Sequence, residues 1–128
     1  MNRSVAGKVY PETSFTVEAE RVRGFREVFE EPSGVPVTFA TAAEFSVIPQ
    51  IVEDPELGLD FMRVVHGNQE YAFRRPIQEG ETLTVRARID AIRELGANAF
   101  LTIVTELVGS DGHLACTAKS TMIERGDG

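Results

Sequence analysis

The chain has 128 residues and a formal net charge of −7 at neutral pH. This length suits one domain with its own hydrophobic core, which we take to span residues 1–128. The acidic balance argues against nucleic acid as a partner, because a nucleic-acid backbone is bound by a positive surface. The single cysteine, Cys116, excludes an internal disulfide and is interpreted as a small buried strand residue. No apolar run reaches membrane-spanning length and no signal-peptide core is present, so we expect a cytoplasmic domain without membrane contact.

The first part of the chain predicts an extended lead-in followed by one amphipathic helix. Residues 1–12 form the lead-in, which ends near Pro11. Between Val17 and Phe29, apolar residues recur at helical spacing while charged residues occupy the other face. Thr16 is placed to cap this helix, because a threonine hydroxyl can accept a hydrogen bond from an unpaired backbone N–H.

The run from Phe39 to Val52 is apolar on nearly every side, which predicts a helix buried within the domain. Thr38 can cap this helix, and Pro49 can kink it or end its regular part. Its polar members need partners, above all Glu44, because an unpaired buried carboxylate is costly. We favour an arginine of this chain or of a partner as the group that pairs with Glu44, or a position at the open end of the helix.

The second half of the chain has the period-two pattern of β-strands. Residues 83–90 alternate apolar and polar side chains, and Ala91-Ile92 breaks the phase as a bulge would. Residues 100–108 are apolar on both faces, which is typical of a central strand, and a turn at Ser110-Asp111-Gly112 leads to the last strand, residues 114–123. Together with the buried helix, these strands predict an α+β domain with the hot-dog arrangement. In this fold an antiparallel sheet of five or six strands wraps around one long buried helix.

Several common catalytic motifs are absent from the sequence. It contains no phosphate-binding glycine loop, no Gly-x-Ser-x-Gly elbow and no Cys or His pair at metal-ligand spacing. With two histidines and one cysteine, a zinc site would need carboxylates, and none cluster suitably. We therefore expect neither a metal ion nor another cofactor.

Two stretches resemble a known family. Val65-His66-Gly67-Asn68-Gln69 and Arg75-Pro76-Ile77-Gln78-Glu79-Gly80-Glu81 are similar to the N-terminal domain of MaoC-like dehydratases, also called the FAS1-like dehydratase domain. This group includes the non-catalytic subunits of actinobacterial (3R)-hydroxyacyl-ACP dehydratases. Pro36-Val37-Thr38-Phe39 resembles the group's approach to the buried helix, and residues 117–125 resemble its last strand. The similarity runs from about Val17 to the end of the chain.

The catalytic residues of the family do not carry over to this chain. Active hydratases of the superfamily place an Asp and a His in the loop before the buried helix. One group orients and deprotonates water, and the other handles the proton at the alpha carbon. The corresponding residues here, 29–36, include no Asp, His or Asn. The Asp/His dyad is therefore absent, and whether this chain is an enzyme by itself stays open.

The resemblance implies an accessory subunit of an (R)-specific enoyl-thioester hydratase or 3-hydroxyacyl-thioester dehydratase, in which a MaoC-like partner supplies the dyad. The implied ligand is an acyl-CoA or acyl-carrier-protein thioester. We expect a homodimer or a heterodimer with a MaoC-like catalytic subunit, because exposed sheet edges are normally covered. Two alternatives stay open: a stand-alone acyl-CoA thioesterase that uses Glu44, and a homodimeric module that binds acyl thioesters without turnover.

Only His66 and Glu44 are candidates for catalysis, and we interpret His66 as hydrogen-bonded to a loop carbonyl or across a subunit interface. Aromatic candidates would line an acyl pocket, and backbone amides at the start of the buried helix would polarise a thioester carbonyl. Gln69 would hold backbone or partner groups, since an amide is no base near neutral pH. Two adjacent arginines on a strand would offer one guanidinium to a carrier phosphate. The predicted substrate-binding residues are Thr38, Phe39, Phe45, Gln69, Tyr71, Arg74 and Arg75, with Phe61 as a further pocket residue.

Overall fold

One five-stranded antiparallel sheet forms most of the fold. The computed structural model describes residues 1–29 and 40–126. Its strands are β1 Thr13–Thr16, β2 Val64–Phe73, β3 Thr82–Leu95, β4 Asn98–Val108 and β5 Leu114–Glu124. They lie in the order β1-β3-β4-β5-β2, and every neighbouring pair is antiparallel. The short β1 and the long β2 are therefore the two edges of the sheet.

The apolar core lies between the inner face of the sheet and two short helices, α2 Ala40–Glu44 and α3 Ile48–Val52. Ala40 and Ala43 are fully buried, and such small side chains let a helix approach a sheet closely. The inner face consists of alternate strand residues, as period-two patterning requires. Its buried apolar members include Leu83, Val85, Ala87, Ile89, Leu101, Ile103, Leu107, Cys116, Ala118 and Met122. The predicted hot-dog arrangement of an α+β domain is confirmed.

The prediction of one long buried helix needs a correction, because residues 40–52 form two helices separated by a turn. Ser46 N and Val47 N donate to carbonyls three residues back, and the Ser46 hydroxyl donates to the Ala43 carbonyl at 2.7 Å. A serine hydroxyl that takes a helix carbonyl competes with the regular backbone ladder. Pro49 has no N–H to continue the ladder and lies in the first turn of α3, where that loss is tolerated. Pro49 thus marks the start of a new helix.

The predicted cap at Thr16 is also wrong. Thr16 is the last residue of β1 and pairs with Thr82 of β3, and their hydroxyls lie 3.2 Å apart. The first helix, α1, begins three residues later and spans Ala19–Phe29. The pairing of Thr16 with β3 joins distant parts of the chain, so the local pattern does not reveal it.

The lead-in is only partly extended. It contains a short 3-10 helix at Arg3–Val5, and the following residues pair with β3 through an antiparallel bridge between Val9 and Arg88. Asp54, in the loop after α3, accepts hydrogen bonds from Lys8 Nζ at 2.7 Å and from the Tyr10 hydroxyl at 2.8 Å. These bonds hold the N-terminal segment against the core.

Register shifts interrupt the ladders at three places, one of them between Leu107 and Val108. The predicted break near Ala91 is confirmed by a register shift between Ile89 and Ala91. A second shift, between His66 and Asn68, leaves Gly67 as an extra residue in β2. A side chain at position 67 would begin only 2.9 Å from the Ile123 side chain, so glycine suits this close approach. Because of the bulge, His66 and Gln69 point to the same face of the sheet although they are three residues apart.

Candidate functional site

An apolar groove of about 520 Å³ opens between α3, the 3-10 helix at Phe61–Arg63 and the β2–β5 pair. Phe45 and Phe61 are 50% and 60% exposed, so their rings stand at the surface of this groove. Contiguous apolar surface, rather than a single exposed ring, is what marks a candidate binding site. The groove is lined by Phe45, Ile48, Pro49, Val52, Glu53, Phe61, Val64, His66 and Met122.

His66 is the histidine that lines this groove. Its Nε2 lies 3.0 Å from the Asn68 carbonyl oxygen and 3.2 Å from Ser120 Oγ. Ser120 is almost fully buried on the inner face of β5, directly opposite Gln69. We expected His66 to bond to a loop carbonyl or across a subunit interface, and the carbonyl that it meets belongs instead to Asn68 of strand β2, next to the bulge at Gly67.

A chain of four polar side chains lies under α2, and we call it the Glu44 cluster: Thr41, Glu44, Gln69 and Tyr71. Gln69 Nε2 donates to both carboxylate oxygens of Glu44 at 3.0 Å. The Tyr71 hydroxyl donates to Glu44 Oε1 at 3.1 Å and also bonds to Thr41 Oγ1. Glu44 is fully buried, so the cluster connects α2 to the edge strand β2 from inside the core.

The expected arginine of this chain is not the partner of Glu44 among the described residues, because an amide and a phenol bind this carboxyl instead. Burial raises the pKa of Glu44, and the hydrogen bonds from Gln69 and Tyr71, together with the nearby His66 imidazole, only partly oppose this shift. Burial also raises the pKa of the Tyr71 phenol to about 12. Within the described part of the chain, buried Gln69 Oε1 has no hydrogen-bond partner.

The geometry gives little support to hydrolysis by Glu44. A carboxyl that attacks a thioester or activates water must touch one of them. Here both oxygens are bonded to Gln69, and the side chain has no exposed surface. The arrangement instead holds a helix and an edge strand together.

Of the other predicted binding residues, one lines the groove, two lie beside it and two fall outside the described residues. Thr38 and Phe39 lie outside the described residues. Phe45 lines the groove, whereas Gln69 and Tyr71 belong to the Glu44 cluster beside it.

The two arginines require a correction. β2 ends at Phe73, so Arg74 and Arg75 follow the strand and do not alternate across it. Both backbone N–H groups donate to the Ala115 carbonyl. Arg75 forms a two-pronged ion pair with Glu81, whereas Arg74 is exposed.

Cys116 is buried, as expected, and burial raises the pKa of its thiol to about 11, which suits a packing residue. No three His, Cys, Asp or Glu side chains in residues 1–29 and 40–126 are grouped to hold a metal ion. Among the helices described, none is long and apolar enough to cross a membrane.

Sequence reasoning missed Ser120 and the pairing of Thr41 with Tyr71. Period-two alternation does place Ser120 on the inner face of β5, where a hydroxyl between apolar neighbours signals a polar partner. Thr41 carried a weaker signal, as one of several polar residues in an apolar run. Neither signal identifies the partner, which comes from another element.

The sheet, the buried α2–α3 segment and the apolar groove beside them define a hot-dog domain. The model of the FAS1-like dehydratase domain region matches residues 31–118. The chain therefore belongs to the FAS1-like dehydratase domain family. The UPF0336 protein of Saccharopolyspora erythraea is 38% identical over 98% of this chain and 92% of its own length. A UPF0336 protein of Streptomyces avermitilis is 33% identical over 98% of this chain and 95% of its own length.

Solved structures share the fold at low sequence identity. A chain of the HadBC (3R-hydroxyacyl-ACP dehydratase) complex from Mycobacterium tuberculosis superposes with a TM-score of 0.79 at 20% identity, over 93% of this chain and 96% of that one. A MaoC-like dehydratase gives a TM-score of 0.83 at 16% identity, over 98% of this chain but 43% of that one. The (R)-hydratase from A. caviae gives a TM-score of 0.63 at 19% identity, over 91% of this chain and 94% of that one.

Proposed function

We propose that this chain is the pocket-forming, non-catalytic subunit of an (R)-specific enoyl-thioester hydratase or 3-hydroxyacyl-thioester dehydratase. The observation that carries the proposal is an apolar groove of about 520 Å³ in a dehydratase-family chain whose sequence lacks the Asp/His dyad. His66 is the histidine of that groove, and its Nε2 is already bonded to the chain itself. Such a site can bind an acyl chain but needs a partner for proton transfer.

The edge strand β2 supports a partner. None of its ten residues is buried, and Val65 and Phe73 are 40% and 37% exposed. A long, uncovered edge offers unpaired backbone groups to another strand, and natural proteins seldom leave such an edge open. A catalytic MaoC-like subunit that pairs with β2 would lie beside the groove, where it could supply the Asp and His. A chain with the same fold occurs in the HadBC complex, a (3R)-hydroxyacyl-ACP dehydratase, which supports this arrangement.

Activity measurements on the chain alone and with a catalytic MaoC-like partner test this proposal. We expect no hydration of a 2-enoyl-CoA by the chain alone and turnover by the pair. Release of free thiol by the chain alone would favour the thioesterase alternative. Hydration by the chain alone would contradict an accessory role, and tight binding of acyl-CoA with no partner-dependent turnover would favour a binding module.

A variant that fills the groove tests whether this chain binds the acyl group of the substrate. Val52→Trp should lower the activity of the pair on long acyl chains about tenfold, because losing contact with two methylene groups costs roughly 1.6 kcal/mol. Short acyl chains should be affected less. Leu95→Trp is the matched control, because Leu95 lies outside the groove and is 67% exposed. Equal activity of both variants on long chains would remove the groove from the acyl site.

A further inference from the structure

The hydrogen bonds of His66 determine which ring nitrogen carries the proton. The Asn68 carbonyl oxygen can only accept, and it lies 3.0 Å from Nε2. A lone pair on Nε2 would face the lone pairs of that oxygen, so Nε2 carries the hydrogen when the ring is neutral. Ser120 Oγ, 3.2 Å from the same nitrogen, can accept as a second partner. The neutral ring therefore has its lone pair on Nδ1.

Nδ1 is the ring nitrogen of His66 that the hydrogen bonds to Asn68 and Ser120 leave available. The two nitrogens of an imidazole point to nearly opposite edges of the ring, so Nδ1 faces away from Asn68 and Ser120. Across residues 1–29 and 40–126, Nδ1 forms no hydrogen bond with another group. Apart from the exposed Glu53, the other side chains that line the groove are apolar. An acceptor set among apolar side chains favours ligands that bring a matching donor.

We propose that His66 determines specificity in the groove by accepting, through Nδ1, a hydrogen bond from an O–H or N–H of the bound acyl thioester. This inference rests on the proposed function, because it takes the acyl thioester as the occupant. Two sources of the donor share this chemistry. One is a hydroxyl on the acyl chain, and the other is an amide N–H of the pantetheine arm.

His66→Gln is the variant that isolates Nδ1. A glutamine amide can reach the position of Nε2 and donate to the Asn68 carbonyl, but it has no nitrogen at the position of Nδ1. His113→Gln is the matched control, because His113 is exposed and lies outside the groove. Equal melting temperatures of the two variants and the parent chain would show that the fold is kept.

Calorimetry with a 3-hydroxyacyl-CoA and the saturated acyl-CoA of the same length tests the proposal on the parent chain and both variants, together with the catalytic partner. One lost hydrogen bond of ordinary strength corresponds to about 2- to 10-fold weaker binding. If His66→Gln weakens only the 3-hydroxyacyl-CoA, the donor is the chain hydroxyl. If it weakens both ligands equally, the donor is a pantetheine amide.

Other results would overturn the inference. Unchanged affinity of His66→Gln for both ligands would show that Nδ1 contacts neither. Weaker association with the partner, without a change in ligand binding, would assign Nδ1 to a donor of that partner. A nitrogen NMR spectrum that places the proton of the neutral ring on Nδ1 would contradict the hydrogen-bond argument. Failure of the parent chain to bind either ligand would refute the proposed function itself, and the inference with it.

Discussion

Replacing Glu44 by glutamine should make the folded chain more stable at neutral and alkaline pH. Glu44 is fully buried, and its two hydrogen-bond partners, Gln69 and Tyr71, are uncharged at neutral pH. Burial raises the pKa of Glu44 above its ordinary value of 4.5. The folded state therefore binds this proton more tightly than the unfolded state does. The resulting stability is complete below that ordinary value and is lost as the pH rises through the folded-state pKa.

The size of the effect follows from the linkage between proton binding and folding. Each unit by which folding raises the pKa corresponds to about 1.4 kcal/mol of stability lost once the folded carboxyl ionises. Glu44→Gln keeps the shape of the side chain and cannot ionise, so it should recover this amount at about pH 8. A gain of 1 kcal/mol would raise the melting temperature by roughly 2–8 °C for a domain of this size. Near about pH 4 the advantage should disappear, because both states of the parent chain are then largely protonated.

Thermal and urea unfolding of Glu44→Gln and the parent chain across this pH range would measure the effect. Glu70→Gln is the matched control, because Glu70 lies on the same strand but is exposed, and its replacement should leave the pH profile unchanged. The reasoning is refuted if Glu44→Gln is less stable than the parent chain at about pH 8. That result would show that the ionised carboxylate, with its bonds to Gln69 and Tyr71, stabilises the fold despite its burial.

Three further changes test other parts of the structure by urea unfolding. Gly67→Val should destabilise the chain by about 1–3 kcal/mol, because its side chain would begin 2.9 Å from the Ile123 side chain. Gly24→Ala should instead stabilise α1 by about 0.4–1 kcal/mol, because no atom lies within 4 Å of the added methyl group. Thr105→Val should raise stability by about 1 kcal/mol, since the buried Thr105 hydroxyl has no partner among the described residues; a loss would indicate a bonded water. Asp54→Asn should lower the melting temperature near neutral pH, because hydrogen bonds from Lys8 and Tyr10 hold the pKa of Asp54 at about 2. The difference in melting temperature between variant and parent should fade as the pH falls towards that pKa. A difference that stays constant with pH would contradict the argument.

The architecture of the domain was largely predictable from the sequence. Period-two alternation in residues 83–90 identifies a half-buried strand, because successive strand side chains point to opposite faces whatever the rest of the fold does. The apolar run of residues 100–108 identified the central strand, and it now has neighbours on both sides as β4. The buried segment of residues 39–52 was recognisable because an all-round apolar helix must be covered. These signals are local, and local geometry is what a sequence pattern encodes.

The break within the buried segment was visible only in part. Pro49 signalled an interruption, but its lack of an N–H group is compatible with either a kink or a new helix. The bond from the Ser46 hydroxyl to the Ala43 carbonyl, together with packing of the segment on the sheet, produces a turn. Strand β1 was likewise missed, because pairing with β3 joins residues about seventy positions apart.

The site itself depends on tertiary structure. Glu44 was identifiable as a buried carboxyl in need of a partner, but its partners lie on β2, and no periodicity relates the two segments. His66 and Gln69 would face opposite sides of a regular strand, and only the bulge at Gly67 turns both inward. The sequence by itself thus determined which segments are strands and which are buried, because burial patterns repeat locally. Only the tertiary structure decided which polar groups meet, because long-range packing sets the register between elements.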